Sequence, residues 1–381
     1  MNIIIAANAI TTRAEQVPCS GSNVRVVQMG RLFSLWGHRL GILTNRYGAE
    51  AFKNRVNADY LITATYQRLH HPLVSFLLNS LFSIPHLFRT RPVDLLYASS
   101  DLFPDALFGL FYKWFRSSTI LIVGCHCLVK HPKQKKKSAA RSTLHGFYAY
   151  YSQAIILWLL KWRADLILVS NRMDRKQLID RGLPEEKLMV SHGGPDVENV
   201  PTTVFPPKLR YYDIAFIGSD HPVKGIDYLT AALKRILNTR PDTRVCLIGG
   251  LNRLKPLFKN YPMVRFVGIR RGKTKYEFLA DSKLLLLTSH TESFSMVACE
   301  AISCGTPVVA FDIPMLRSIY YAGVRFVPHL GSKAMAKQTL YLLNNPKELE
   351  QLSQAAKTFS TRFSWESLGK ELIDHVRHLR V

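Results

Sequence analysis

Short runs of Val, Ile and Leu recur along the chain, separated by longer stretches in which apolar and polar residues are mixed. In the first half these runs predict six strands: Ile3–Ala7, Leu40–Thr44, Asp94–Ala98, Thr119–Val123, Asp165–Val169 and Leu188–His192. In the second half they predict six more: Asp213–Gly218, Arg244–Gly249, Val264–Gly268, Lys283–Thr288, Pro307–Phe311 and Val324–Pro328. Continuously apolar strands are typical of parallel sheets covered by helices on both faces. The pattern therefore predicts two doubly wound α/β domains.

A proline-rich segment divides the two series of strands. Residues 197–209 have the sequence "VENVPTTVFPPKL", and their three prolines oppose regular secondary structure. We therefore predict a first domain over residues 1–196, a linker over 197–209 and a second domain over 210–362. A chain of 381 residues is long enough for two such domains, each with its own core.

Two acids stand out in the stretch "LLLLTSHTESFSMVACEAISCGTPVVAF". Glu292 lies in a polar loop after a predicted strand, and Glu300 lies about one turn into a helix predicted to begin near Ser295. Ligands of doubly wound sheets bind beyond the carboxyl ends of the strands, and a helix N-terminus attracts phosphate. Glu300 is then placed to accept hydrogen bonds from a ribose diol, and Glu292 to face the group beyond the phosphates. Alternatively, both are solvated carboxylates near a helix start, stabilising by about a few tenths of a kcal/mol.

Composition places the chain among folded globular proteins, with 47% hydrophobic residues and a mean hydropathy near zero. The start, "MNIIIAANAI", lacks a basic region, so we predict a first strand there and not a signal peptide. Six irregularly spaced cysteines predict reduced thiols in a cytosolic protein. The formal net charge is +24, shared equally by residues 1–200 and 201–381. Such a charge favours a polyanionic partner: nucleic acid, anionic lipid or phosphorylated small molecules.

Two stretches approach the length of a membrane span, which is about 20 residues. Leu69–Phe88 and Ser142–Leu160 contain no Lys, Arg, Asp or Glu. Because they include residues such as Asn79, Pro85 and Gln153, we predict buried or interfacial helices and not true spans.

A basic cluster, Lys130–Arg141, directly precedes the second of these stretches, and the region from Ala106 to Ala164 contains ten Lys and Arg and no acid. Lysines next to tyrosines and tryptophans favour an anionic membrane surface. The alternative is a solvated loop followed by an ordinary core helix. Nucleic acid is a weaker alternative, because the sequence contains no recognised nucleic-acid-binding module.

Several motifs carry a family resemblance. The segment "ESFSMVACE" followed by "AISCGTPVVAF" resembles the Glu, seven residues, Glu motif of GT-B retaining glycosyltransferases, family 4 (glycosyl transferases group 1). "FIGSDHPVKGIDYLTAAL" is similar to that family's strand followed by a Lys-Gly pair at a helix start. The resemblance extends from about Ala164 to the chain end, where "FSWESLGKELIDHVRHL" resembles the family's final helix.

The resemblance implies two Rossmann-like domains facing each other across a cleft. Residues 1–196 would be the acceptor-side domain, 210–362 the nucleotide-sugar-binding domain, and 363–381 a helix that returns to the first domain. It also implies roles for individual residues. Glu300 would hold the donor ribose and Glu292 would contact the donor sugar, with Lys224 neutralising the diphosphate. Further donor-side positions follow from the same motifs: the backbone donors Phe294 and Ser295, and Gly218 at the end of its strand.

The sequence departs from the family pattern at three places. Ser219 stands where an arginine is usual, and three basic residues could replace it: Arg270, Arg271 and Lys273. The N-terminal glycine pair is reduced to "CSGSN", in which Gly21 alone fits. His126, after "ILIVGC", matches the family histidine near the reacting sugar, although a structural role is an equal alternative.

The resulting hypothesis is a retaining transferase that moves a sugar from a nucleotide-diphosphate sugar to a lipid-linked or cell-surface glycan acceptor. Glu292, His126 and Lys224 would be its catalytic residues. The resemblance implies no cofactor and no metal, because Lys224 and the helix terminus would stabilise the departing diphosphate, and the chain lacks an Asp-x-Asp motif. We expect a cytoplasmic location on the inner membrane face. The main alternative is an inactive GT-B-like, membrane-associated partner subunit. A nucleotide-sugar epimerase and a nucleic-acid-binding protein are weaker alternatives.

Overall fold

The computed structural model describes residues 1–10, 21–63, 72–129 and 143–379. The chain divides into two compact units. Unit 1 comprises Met1–His192 with Trp365–Val381, and unit 2 comprises Gly193–Ser364. Each contains a parallel sheet flanked by helices, which confirms the predicted α/β fold class with two Rossmann-like domains.

In unit 1 the described residues form a seven-stranded parallel sheet of order β3-β2-β1-β4-β5-β6-β7. Its strands are β1 (Asn2–Ala6), β2 (Arg39–Asn45), β3 (Asp59–Thr63), β4 (Leu95–Ala98), β5 (Ile120–Cys125), β6 (Leu166–Val169) and β7 (Leu188–Val190). Six of them correspond to predicted strands, whereas β3 was not predicted. Its sequence, "DYLIT", lies at the sheet edge and is only partly buried, so it lacks the continuous apolar run of a central strand.

Helices connect these strands, and β1 pairs with β4 as well as with β2. They are α1 (Gly21–Leu35), α2 (Arg46–Phe52), α3 (Pro72–Arg89), α4 (Phe103–Phe115), α5 (Thr143–Arg163) and α6 (Arg172–Asp180). The two predicted interfacial stretches correspond to α3 and α5. Among the helices that the structure describes, none combines the length and apolar character needed to cross a bilayer.

Unit 2 contains a six-stranded parallel sheet of order β10-β9-β8-β11-β12-β13 within the described residues. The strands are β8 (Tyr212–Ser219), β9 (Val245–Gly250), β10 (Val264–Gly268), β11 (Ser282–Leu287), β12 (Val308–Phe311) and β13 (Val324–Val327). Its helices are α7 (Ile226–Thr239), α8 (Gly272–Ala280), α9 (Met296–Ser303), α10 (Pro314–Ile319), α11 (Ser332–Asn344) and α12 (Pro346–Ser360).

The segments around the second sheet differ in detail from the prediction. The linker at 197–209 is not wholly irregular, because Val197–Asn199 and Pro207–Leu209 each form a single 3₁₀ turn. A last helix, α13 (Trp365–His378), belongs to unit 1, where its Gly369 lies against Trp36 near the end of α1. Three buried cysteines in the described part of the chain are free thiols: Cys125, Cys246 and Cys304.

Candidate functional site

The carboxyl ends of β8 and β11 form a switch point in the sheet of unit 2. The two strands are neighbours, yet the chain leaves β8 towards β9 on one side and β11 towards β12 on the other. Hydrogen bonds join the loops that follow them. Thr288 Oγ1 donates to the carbonyl oxygen of Lys224 at 2.8 Å, and the His290 amide donates to the carbonyl oxygen of Val223 at 2.8 Å. Such a crevice is where open α/β sheets bind ligands.

Two glycines allow close backbone approach at this edge. Gly225 has a φ of +64°, and a Cβ on it would overlap the carbonyl oxygen of Thr288. A Cβ on Gly249, at the end of β9, would overlap the carbonyl oxygen of Gly218. The predicted donor-side residue Gly218 therefore lies in a tightly packed backbone layer, and Gly225 fixes the turn that starts α7.

The structure brings the predicted residues Lys224 and Glu292 together. The Lys224 ammonium lies 2.9 Å from a Glu292 carboxylate oxygen, and their side chains are 28% and 12% exposed. The pair joins the loop after β8 to the loop after β11, although the two residues are far apart in sequence. A cation and an acid at a sheet edge can exchange partners when a ligand brings its own negative phosphates and sugar hydroxyls.

Glu300 is buried on α9 and is also paired with a lysine. The Lys275 ammonium lies 2.6 Å from its carboxylate oxygen, and the two side chains are 18% and 6% exposed. The sequence analysis missed Lys275. A usable signal was that α8 leads into β11 and α9 leaves it, so that the two helices flank the same strand.

Phe294 and Ser295 differ in what they can offer a ligand. The Phe294 side chain packs in the core, with ring centroids 5.9 Å from Tyr320 and 5.4 Å from Phe363, so only its backbone remains for binding. Ser295 precedes α9 with a φ of +61°, a conformation that costs a residue with a Cβ about 1–2 kcal/mol. The Tyr320 hydroxyl donates to the Ser295 carbonyl oxygen at 3.1 Å and holds it in place. Strain of this kind is common at ligand-binding turns.

The possible substitutes for the missing arginine do not join this cluster. Arg270 is exposed, and its guanidinium donates to the carbonyl oxygen of Ile269 at 3.4 Å. Lys273 is exposed and lies 4.0 Å from Glu277. Arg271 differs, because its Nε is buried and finds no hydrogen-bond partner among the described residues. In this structure Lys275 and Lys224 supply the positive charge next to the two acids.

The predicted residues of unit 1 lie at its own strand ends. Gly21 is the exposed first residue of α1. His126 directly follows β5, and neither of its buried ring nitrogens has a hydrogen-bond partner of good geometry within the described ranges. Burial, with the charge of Arg25 as a smaller cause, holds the pKa of His126 well below its ordinary value, partly offset by the backbone of Ser99. His126 is therefore a neutral imidazole at neutral pH.

The loop after His126 is tied to α5. Gln153 accepts a hydrogen bond from the Val129 amide at 2.8 Å and donates to the Cys127 carbonyl oxygen at 2.9 Å. It also donates to buried Asp101 at 2.6 Å. The predicted basic cluster, Lys130–Arg141, follows directly and lies outside the described residues.

Comparisons with known proteins cover both units. A model of the family "Glycosyltransferase Family 4" matches residues 19–199, and one of "Glycosyl transferases group 1" matches residues 204–359. The chain is 29% identical over 178 residues to a D-inositol 3-phosphate glycosyltransferase of Segniliparus rotundus, covering 43% of this chain and 39% of the relative. It is 28% identical over 166 residues to a phosphatidyl-myo-inositol mannosyltransferase of Propionibacterium freudenreichii, covering 42% of each. The chain thus spans about two fifths of the length of these relatives.

Solved structures show the fold over nearly the whole chain. Anabaena Alr3699/HepE, solved in complex with UDP-glucose, superposes with a TM-score of 0.76 at 16% identity. The superposition covers 99% of this chain and 100% of that protein.

Proposed function

The chain belongs to the GT-B glycosyltransferases of family 4, and from this premise we propose that it transfers a sugar from a nucleotide-diphosphate sugar to a hydroxyl acceptor, with retention of the anomeric configuration. The observation that carries the proposal is the pair of lysine-neutralised acids at one sheet edge. Lys224 with Glu292 and Lys275 with Glu300 lie next to the start of α9.

In the proposed reaction the bond between the anomeric carbon and the diphosphate oxygen breaks. The acceptor oxygen bonds to the same carbon, and its proton is taken up by the departing nucleoside diphosphate. Lys224 would stabilise the growing negative charge on that diphosphate, aided by the backbone amides before α9. Glu300 would accept hydrogen bonds from the donor ribose, and Glu292, released from Lys224, would accept them from the donor sugar. No residue of this scheme requires a metal or a cofactor.

We extend the proposal to a lipid-linked acceptor at the inner face of the membrane. One relative is a phosphatidyl-myo-inositol mannosyltransferase, and its name supports the proposal of a lipid acceptor. The basic cluster Lys130–Arg141 and the helix after it, α5, support membrane attachment through charge and aromatic content. His126, neutral and with no well-placed hydrogen-bond partner for its ring nitrogens among the described residues, is proposed as an acceptor-side residue of unit 1.

One observation favours a second candidate function. Ser219, where the family pattern has an arginine, ends β8 as an exposed residue and contributes no charge. A chain that had lost donor binding in this way would act as an inactive partner subunit. Lys275 argues against it, because a second lysine already neutralises the acid cluster.

Calorimetric binding of uridine, guanosine and adenosine diphosphates to the full chain tests the proposal. We expect one base to be preferred, and Glu300→Gln to weaken its binding about tenfold to a hundredfold, since hydrogen bonds to charged groups are at stake. Glu277→Gln, an exposed acid on α8, is the matched control and should bind as wild type does. Absence of binding to all three diphosphates would overturn the transferase proposal and favour the inactive subunit.

A further inference from the structure

Helices α3, α4 and α5 share one face of the unit 1 sheet. The crossovers β3 to β4, β4 to β5 and β5 to β6 all run in the same direction along the strand order. Because such crossovers are right-handed, the three helices lie on the same side. Each exposes large apolar side chains at helical spacing: Leu81, Ile84 and Phe88 on α3; Phe111, Trp114 and Phe115 on α4; Tyr151, Ile155, Trp158 and Trp162 on α5. We call these ten residues the aromatic face.

The aromatic face is continuous across the three helices. The rings of Phe88 and Phe115 lie 5.6 Å apart and join α3 to α4. The Arg163 guanidinium lies over the Trp114 ring at 5.2 Å and joins α5 to α4. Phe88 and Trp158, on the two outer helices, remain 69% and 63% exposed. Large continuous apolar patches are uncommon on soluble proteins and mark surfaces that contact something else.

The charges around the aromatic face identify that partner. In the sequences of the three helices Asp105 is the only acid, and it is buried. Arg89, Lys161 and Arg163 stand at the C-terminal ends of α3 and α5. Long basic side chains beside tryptophans suit the boundary between anionic headgroups and acyl chains. Three of the five tryptophans of the chain lie on this face: Trp114, Trp158 and Trp162.

We propose that the aromatic face docks on an anionic lipid bilayer, with the three helices lying in the interface. Because it includes the exposed apolar residues of α3 and α4, this docking surface is wider than one formed by α5 alone. Docking would also set the position of the loop after His126, because Gln153 on α5 holds that loop at Cys127 and Val129. Its purpose, access to a lipid-linked acceptor, rests on the proposed function.

Vesicle sedimentation tests the docking without any donor or acceptor. The full chain is mixed with vesicles of phosphatidylcholine containing about a third phosphatidylglycerol, and with vesicles of phosphatidylcholine alone. The variant Phe88→Ser/Trp158→Ser removes one exposed ring from each outer helix. Its control, Leu35→Ser/Phe205→Ser, removes two residues that are 78% and 57% exposed elsewhere. Thermal unfolding and nucleotide diphosphate binding, measured on every sample, report folding and the donor site separately.

We expect wild type and control to bind the anionic vesicles and the variant to bind at least about tenfold more weakly, since two large side chains no longer enter the interface. Brominated acyl chains should quench wild-type tryptophan fluorescence on binding. Equal vesicle binding by variant and wild type, or no binding of folded wild type, overturns the inference. So does a concentration-dependent dimer that the variant abolishes without vesicle binding, because the occupant would then be a second copy. Unchanged nucleotide binding in these cases leaves the proposed function intact.

Discussion

The strand ends of the two units share a topology but differ in their charge chemistry. In unit 2, the two acids that the sequence singled out at the crevice between β8 and β11, Glu292 and Glu300, are each paired with a lysine. In unit 1, the buried acid at the corresponding place between β1 and β4 is Asp105, and neutral groups surround it. Its oxygens accept hydrogen bonds from the amides of Asn8 and Ala9 and from the hydroxyls of Ser99 and Ser100, at 2.6 to 2.9 Å. Burial raises the pKa of Asp105 to about 6 despite these donors.

This difference favours the crevice of unit 2 over that of unit 1 as the proposed binding site of an anion. The network around Asp105 stabilises the loops of unit 1 and would have to break before a ligand could use the carboxylate. The ion pairs of unit 2 join side chains on separate elements, so the diphosphate and ribose of the proposed donor would replace one partner at a time. The same sheet topology therefore holds a carboxylate bonded to neutral groups in unit 1, and two carboxylates paired with lysines in unit 2.

The largest effect on stability and nucleotide binding is expected from a substitution that adds a side chain at the crevice of unit 2. In Gly225→Ala the new Cβ meets the carbonyl oxygen of Thr288, and the φ of +64° is unfavourable as well. We expect a loss of about 3 kcal/mol or more in the free energy of unfolding and loss of nucleotide binding. Chemical denaturation and calorimetry measure the two quantities.

Gly268→Ala is the matched control for that variant. Gly268 has a similar φ of +71°, but a Cβ there meets nothing within 4 Å. It should cost only the conformational strain, about 1–2 kcal/mol, and leave nucleotide binding unchanged. Equal costs for the two variants would show that the contact between the loops of β8 and β11 contributes nothing.

Removing the partner of Glu300 is expected to have the next largest effect. Lys275→Met leaves a carboxylate that is 6% exposed without its cation, which should cost about 3 kcal/mol in unfolding free energy. The double variant Lys275→Met/Glu300→Met removes both charges and should be more stable than the single one. A double variant as unstable as the sum of both single variants would show that the two side chains do not interact.

The fold was largely predictable from sequence because continuous apolar runs mark central parallel strands. The four leucines 284–287 illustrate this, since all are buried in β11. The edge strand β3 was not predicted because its side chains are half exposed, so "DYLIT" lacks a distinctive pattern of apolar and polar residues. The Lys-Gly pair at 224–225 was recognised through the family resemblance, and in the structure Gly225 adopts the left-handed conformation that glycine tolerates before a helix.

The rest of the candidate site depends on tertiary packing that no local pattern records. The Lys275–Glu300 pair forms across two helices, and the sequence places Lys275 among several equally basic neighbours. Ser295 adopts its left-handed conformation because Tyr320, from a distant turn, holds its carbonyl group. The aromatic face was only partly visible for a similar reason: the sequence pointed to the aromatic residues of α5 but not to those of α3 and α4. Helices α3 and α5 look uniformly apolar in sequence, and only their packing on the sheet shows which residues remain outside.

A smaller effect on stability is expected at the other ion pair. Lys224 is 28% exposed, so Lys224→Met should change the unfolding free energy by no more than about 1 kcal/mol. Its effect on the diphosphate should be larger, about tenfold weaker binding, because a charge-assisted contact is lost. Lys333→Met, at an exposed lysine on the first turn of α11, is the control. Unchanged diphosphate affinity in Lys224→Met would contradict the exchange of partners between Glu292 and the ligand.

The smallest effect concerns the neutral histidine of unit 1. The folded-state pKa of His126 lies below the ordinary value of 6.5, so the unfolded chain binds more protons just below that pH. The contribution is fully present above pH 6.5 and is lost as the pH falls towards the folded-state pKa. One such group changes the unfolding free energy by at most about 1.4 kcal/mol per pH unit. Denaturation between pH 7 and pH 5 should therefore show a shallower decline for His126→Leu than for wild type.

His378→Leu, at the exposed end of α13, supplies the control and should decline as wild type does. Identical slopes for His126→Leu and wild type would mean that the imidazole takes up its proton as readily in the folded chain as in the unfolded one. The crevice of unit 1 could then carry a cationic imidazole, and the charge difference between the two units would be smaller than burial alone implies. A difference in the pH slope that appears only in His126→Leu would instead show that His126, directly after β5, is held neutral in the folded chain.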